Sequence, residues 1–141
     1  MAYVRETQVM HTLETLREEL CHRVALALGK RLPMIGVSAN APDQQLQHQY
    51  NMVSTVTRFH QMLQAGVTID SRLLAAEYDW AGRKLSAMGA TWEHQSALFE
   101  MYFDEASRLH EWTAEERAVL EQIRTRMYAT AQKAYEQPVQ C

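Results

Sequence analysis

The chain has 141 residues, of which 47% are hydrophobic, enough for the core of a single domain. Its 14 basic and 17 acidic residues give a net charge of -3, too little to attract nucleic acid or an anionic membrane, so we expect partners to be recognised by shape. Apolar stretches fall far short of the roughly 20 residues that span a bilayer, and the first residues lack a signal-peptide pattern, so we expect a cytoplasmic protein.

Apolar periodicity predicts five helices and no strand. The first helix carries an apolar stripe from Val9 to Leu28 and ends before Pro33, which disfavours helical backbone in the residue that precedes it. An irregular segment follows. Asp43 then caps a second helix that runs to about Gln64, and the AGVTID stretch ends it.

The third helix begins at Asp70 or Ser71, either of which can cap it. Gly89 is a natural terminator for this helix. Its predicted apolar stripe consists of Leu73, Leu74, Tyr78, Ala81 and Leu85.

Two further helices complete the predicted all-α domain. Thr91 can cap the fourth helix, and Thr113 with Glu116 three residues later makes a capping box for the fifth. The predicted stripes of these helices are Leu98, Met101, Tyr102, Ala106 and Leu109, then Leu120, Ile123, Met127, Ala131 and Ala134. We therefore expect residues 1–141 to fold as one helical domain.

Motifs that carry chemistry are missing from the sequence. The five glycines are scattered, so no phosphate-binding loop is predicted. No two of the six histidines lie four apart on one helical face, and the adjacent Cys21 and His22 point about 100° apart, so we expect no metal site. No strained nucleophile turn is present, so we expect no enzyme. Cys21 and Cys141 do not form a disulfide pattern, and we expect both to be free thiols.

Two histidines and a group of aromatic residues are candidates for a binding site. His48 and His60 lie twelve residues apart, on the same side of the second helix, where both could line one cleft; packing is the favoured explanation for either one taken alone. Aromatic residues concentrate in the third and fourth helices, where they form either core or the floor of an apolar pocket. They are Tyr78, Trp80, Trp92, Phe99, Tyr102 and Phe103.

Residues 59–106 resemble the middle of phycobiliprotein subunits such as allophycocyanin, and of the sensor globins. Those families have a helix that ends at an Ala-Gly break, a helix that runs to a glycine corner, and then a long helix. The corresponding pairs here are Ala65-Gly66 and Met88-Gly89. The resemblance extends over nearly all of the chain and implies a globin-like helical domain with an N-terminal extension helix.

At several positions the sequence differs from these families, and the differences limit which cofactors the resemblance implies. Leu85 stands where haem-binding sensor globins have the proximal histidine, so we expect no haem. His48 stands where phycobiliproteins have the cysteine that links the bilin. Asn51 occupies the place of the aspartate that holds the pyrrole nitrogens, and Tyr50 that of an arginine that often meets a propionate.

A globin-like chain without either anchor resembles the non-haem sensor globins, including the photoglobins proposed to carry linear tetrapyrroles. The resemblance implies a biliverdin-like bilin, held non-covalently between the second and third helices and stacked on Trp80 or Tyr78. Arg58, Arg83 and Lys84 would pair with its propionates. It also implies a photoreceptor or other sensor that passes a change of shape through a helical homodimer interface to a signalling protein.

Two other interpretations remain open. The chain is alternatively a ligand-free, globin-like protein-protein interaction module whose pocket is filled by side chains, for which its eight adaptable methionines are suited. An enzyme with an unfamiliar site is the third and least favoured interpretation. Attachment of a bilin at Cys21 is also left open by the sequence.

Overall fold

A computed structural model describes residues 4–31, 42–85 and 91–138, and for residues 42–50 it describes the backbone alone. All regular structure in these ranges is helical, so the all-α prediction is confirmed for this part of the chain. The helices are α1 (Glu6–Thr15), α2 (Arg17–Arg31), α3 (Pro42–Thr68), α4 (Ser71–Lys84), α5 (Trp92–Leu109) and α6 (Ala114–Glu136).

The predicted first helix is correct in its apolar stripe but wrong in its continuity. The chain leaves helical geometry at Leu16, with φ -96° and ψ 2°, which separates α1 from α2. The hydroxyl groups of Thr12 and Thr15 donate to the carbonyls of Gln8 and Thr12, at 3.2 and 2.6 Å. Hydroxyl groups that bond to the preceding turn of a helix favour bending, which accounts for a break at this place.

The predicted end of the second helix at Gln64 is wrong, because α3 continues to Thr68. A Cβ atom added to Gly66 would lie 3.1 Å from the Leu74 Cβ and 3.4 Å from the Met127 sulfur. The missing side chain therefore lets α4 and α6 pack closely against α3. It does not end the helix, so the Ala-Gly pair is not the break that the resemblance implied.

Helix α4 begins as predicted, with Asp70 as its N-cap. The Asp70 carboxylate accepts a hydrogen bond of 2.9 Å from the backbone N–H of Arg72. Hydrogen bonds from the Arg72 guanidinium, and then the backbone bond, lower the pKa of Asp70 to about 2. Within the predicted stripe, Leu74 and Tyr78 are buried, whereas Leu73 is 43% exposed. Leu73 belongs to the predicted apolar stripe, but it borders a surface cavity instead of packing in the core.

The last two helices also begin where their capping residues predict. Thr91 is the N-cap of α5, and the capping box of α6 has both of its hydrogen bonds. The Thr113 hydroxyl accepts from the Glu116 N–H at 3.1 Å, and the Glu116 carboxylate accepts from the Thr113 N–H at 2.9 Å. Gly89, the predicted end of the third helix, lies outside the described residues, and α4 ends at Lys84.

Replacing Thr113 by alanine is expected to lower the free energy of unfolding by about 1 kcal/mol, because the first turn of α6 loses an acceptor. Thr125, exposed in the middle of α6, is the matched control. Thr125→Ala should be neutral or slightly stabilising, because alanine has the higher helix propensity. Urea unfolding followed by circular dichroism measures both; equal effects of the two substitutions would contradict the capping role.

Among the described residues, helix α5 supplies the two largest fully buried side chains, Phe99 and Tyr102. Helix α2 packs against α3 and α5, whereas α4 packs against α3 and α6. The α4–α6 contact is close enough that a Cβ atom on Gly82 would overlap the carbonyl oxygen of Tyr135. None of the helices described is both long and apolar enough to cross a bilayer.

Candidate functional site

A cavity of about 630 Å³ lies between α3, α4 and the first turns of α5. Its volume falls within the range of small-molecule sites. It is lined by Thr55, Arg58, Phe59, Met62, Leu73, Ala76, Glu77, Tyr78, Trp80, Ala81, Leu85, Gln95 and Leu98. Most of these side chains are apolar, so the cavity suits a ligand with a large apolar surface.

The floor of the cavity is aromatic and continuous with the core. Phe59 is buried and meets Phe99 edge to face, with ring centroids 4.8 Å apart. The ring of Tyr78 lies 5.9 Å from that of Phe99. Burial strongly raises the pKa of Tyr78, so its hydroxyl stays protonated and neutral. These contacts hold the floor rigid, which favours a preformed site.

The mouth of the cavity carries an ion pair and an exposed indole. The Arg58 guanidinium donates two hydrogen bonds to the Glu77 carboxylate, at 2.6 and 2.9 Å. The hydrogen bond with Glu77 raises the pKa of Arg58. Arg58 is the only cationic side chain among the described lining residues. Trp80, which is 48% exposed, presents a large aromatic surface beside this pair.

The structure brings together three of the residues predicted to bind a cofactor. Arg58, Tyr78 and Trp80 all line the cavity. Arg83 and Lys84 are not among its lining residues. Both are exposed at the end of α4, where Arg83 pairs with Asp79 at 2.9 Å. Their predicted role at the propionates is therefore not supported by their position.

The remaining predicted site residues are on α3 or at the end of α4. Asn51 is exposed and does not line the cavity. The side chains of His48 and Tyr50 lie outside the described part of the structure. Leu85, matched above to the haem-ligating position, lines the cavity, and the described lining residues contain no histidine.

His60 was predicted to line the cleft, and the structure places it elsewhere. It follows Phe59, and neighbours on a helix point about 100° apart. Phe59 therefore faces the cavity, while His60 faces α1 and α5 and is only 1% exposed. Its Nδ1 lies 2.8 Å from the Tyr102 hydroxyl, and its Nε2 lies 2.7 Å from the Glu14 carboxylate. His60 is therefore packed in the core, as one of the two interpretations of this residue predicted.

One arrangement of protons that satisfies both hydrogen bonds of His60 has a neutral ring. A neutral ring with its proton on Nε2 donates to Glu14 and accepts from the Tyr102 hydroxyl through Nδ1. The hydrogen bond with His60 lowers the pKa of Glu14. Burial raises the pKa of Tyr102 well above its ordinary value, so its hydroxyl keeps the proton that it donates in this arrangement. Every polar group in this row then has a partner without a charge in the core.

The row of Glu14, His60 and Tyr102 was missed by sequence reasoning. Its members lie on three helices, with no spacing pattern to connect them. The one available indication was a histidine on the apolar side of an amphipathic helix, which needs polar partners when it is buried.

Comparison of the chain with protein-family models, curated proteins and solved structures gives no match. Within the described residues, no group of three or more His, Cys, Asp or Glu side chains is arranged to hold a metal ion. Cys21 is a buried free thiol whose pKa is raised by burial, whereas Cys141 lies outside the described residues.

Proposed function

We propose that the chain is a globin-like sensory domain that binds a biliverdin-like linear tetrapyrrole, without a covalent bond, in the cavity between α3 and α4. A change in the shape of this ligand would be passed to a partner through a helical dimer interface. The observation that carries the proposal is the apolar cavity of about 630 Å³ with a single described cation, Arg58, at its mouth.

The volume and lining of the cavity suit a largely apolar ligand that can stack on aromatic rings. Trp80 offers a half-exposed indole for stacking, and Tyr78 and Phe59 provide an aromatic floor. Offset stacking on such rings adds to the free energy gained by burying apolar area. Because the rings are held by the core, little ordering would be required on binding.

The ion pair at the mouth suits the acidic groups of a tetrapyrrole. An arginine fork binds a carboxylate through two parallel hydrogen bonds, which is how Arg58 now holds Glu77. A propionate could replace Glu77 or share the guanidinium with it. Ligand binding would thereby exchange one carboxylate for another and leave the positive charge paired.

Non-covalent binding is favoured by the position of Cys21. Its side chain is buried in α2, with only 4% of the residue exposed, and it is not among the lining residues of the cavity. A thioether at this sulfur would require the core to open. The mass of the purified, denatured protein tests this directly, since an attached bilin would add its own mass.

Titration with biliverdin tests the proposed function. Wild-type protein should shift the visible absorption of the pigment, and the pigment should raise the thermal unfolding midpoint. Arg58→Ala should weaken binding roughly fivefold, because an exposed charge-assisted contact is lost. Arg23→Ala, which removes a surface pair with Glu19 on α2, is the matched control and should bind as the wild type does. If wild-type protein gives neither a spectral shift nor thermal protection, the bilin proposal is wrong.

The second candidate is a ligand-free interaction module, and the exposed apolar residues of α4 favour it. Leu73 and Trp80 lie seven residues apart, on one side of the helix, and are 43% and 48% exposed. Ile69, just before the helix, is 76% exposed. Such residues would be covered in a dimer. Under this interpretation, Trp80→Ala lowers the dimer fraction in sedimentation experiments and biliverdin has no effect on it.

A further inference from the structure

We propose that Tyr102 is a redox-active tyrosine, which loses one electron to an oxidant while its hydroxyl proton leaves through His60 and Glu14. The proposal rests on the arrangement of these three side chains and does not depend on a bilin.

The three side chains form a continuous path from the core to solvent. Tyr102 is fully buried and its hydroxyl lies 2.8 Å from His60 Nδ1. His60 Nε2 lies 2.7 Å from a Glu14 carboxylate oxygen. The Glu14 side chain is 45% exposed. A proton can therefore pass from a buried phenol to water across two short hydrogen bonds.

Oxidation of a buried phenol requires such a path. A phenol that has lost an electron is a strong acid, and an uncompensated positive charge in the core is costly. When an oxidant takes one electron, the Tyr102 O–H bond breaks and an N–H bond forms at His60 Nδ1. The Nε2 proton of His60 moves to the Glu14 carboxylate, which releases it to water. The products are a neutral tyrosyl radical, a neutral imidazole and an oxidant reduced by one electron.

Glu14 also has a cationic neighbour, Arg17, which favours its ionised form at rest. Arg17 lies 3.4 Å from its second carboxylate oxygen, and Arg17 and His11 both lower the pKa of Glu14, after the larger effect of His60. A carboxylate that is ionised at rest accepts the proton, and its exposure allows rapid exchange with water.

Tyr128 provides an internal comparison. Its hydroxyl lies 3.2 Å from Trp92 Nε1 and 3.1 Å from the Ser96 hydroxyl, and neither group is a base. Oxidation of Tyr128 would leave its proton without an acceptor in these contacts. Of the two tyrosines, only Tyr102 is placed to lose an electron and a proton together.

The cavity offers a place for the oxidant. Phe59 lines it, and the ring centroid of Phe59 lies 5.0 Å from that of Tyr102. The required class of oxidant is a one-electron acceptor, such as an excited aromatic chromophore in the cavity or a high-potential metal complex in solution. Only one ring then separates Tyr102 from a molecule in the cavity.

Flash oxidation of the intact protein with a photogenerated ruthenium(III) polypyridyl complex tests the proposal. Electron paramagnetic resonance should show a neutral tyrosyl radical in the wild-type protein. Tyr102→Phe lacks the phenol that is placed beside His60, so the long-lived signal should be lost in this variant. Tyr128→Phe is the matched control and should keep the long-lived signal.

Glu14→Gln keeps the test decisive if Tyr102→Phe fails to fold, because residue 14 is partly exposed. The amide can accept a hydrogen bond but not a proton, so the radical should recombine faster than in the wild type. Formation of the radical should also slow in deuterium oxide. A folded wild-type protein without the radical, or a Tyr102→Phe protein with an unchanged long-lived signal, would overturn the proposal. So would a Glu14→Gln protein in which the radical lasts as long as in the wild type.

Discussion

Gly82→Ala is expected to lower the free energy of unfolding by about 3 kcal/mol, at the upper end of the usual cost of overpacking. A Cβ atom at Gly82 would overlap the Tyr135 carbonyl oxygen and lie 3.0 Å from the carbonyl carbon. These are backbone atoms, which cannot rotate away as a side chain can. The helices α4 and α6 would have to move apart, and equilibrium urea unfolding would measure the loss.

Two other helical glycines give a graded comparison for this substitution. A Cβ atom at Gly66 would lie 3.1 Å from the Leu74 Cβ, so Gly66→Ala should be destabilising, but less than Gly82→Ala. At Gly29 the nearest atom is the Met52 Cγ at 3.9 Å, an ordinary contact. Gly29→Ala should stabilise the protein by about 0.5–1 kcal/mol through helix propensity. An equal response at Gly82 and Gly29 would contradict the close approach of α4 and α6.

His60→Ala is expected to lower the free energy of unfolding by about 3 kcal/mol, from the lost ring and an unpaired buried hydroxyl. The substitution opens a space beside Tyr102 and removes the acceptor of its hydrogen bond. The exposed His22 on α2 is the matched control. His22→Ala should change stability by less than about 0.5 kcal/mol. Similar losses for the two variants in thermal unfolding would show that the buried contacts of His60 contribute little.

The free energy of unfolding should also depend on pH through Glu14, the hydrogen-bond partner of His60. The hydrogen bond from His60 lowers the pKa of Glu14 from 4.5 in the folded protein. Its stabilising effect is therefore fully present above pH 4.5 and is lost as the pH falls through the lowered value. The difference in unfolding free energy between wild type and Glu14→Gln should shrink over this acid range. If the difference in unfolding free energy stays constant as the pH falls through this range, the hydrogen bond with His60 does not lower the pKa of Glu14.

The helices were predictable because their determinants are local. Asp70 caps α4, and the Thr113 and Glu116 box starts α6, since each cap is made within four residues. The continuation of α3 through Gly66 was not predictable. It depends on the close approach of Leu74 and Met127, which only the packed structure brings to that position.

The candidate cavity was also predictable in part, because some of its lining residues lie close together in the sequence. Arg58, Tyr78 and Trp80 lie on two helices joined by a short turn, and the structure brings them to one cavity. The hydrogen bonds of His60 join residues 42 and 46 positions apart. A helical period cannot relate positions on different helices, so the partners Tyr102 and Glu14 required the structure.

The separation of α1 from α2 at Leu16 affects the order in which the helices dock during folding. Glu6 on α1 accepts a hydrogen bond of 2.6 Å from Arg126, 120 residues away. The Met10 carbonyl accepts one of 2.8 Å from Gln64, 54 residues away. Contacts over such separations close long loops and carry a large entropy cost before they form. We therefore expect α1 to dock late in folding, after α3 and α6 have built the surface that receives it.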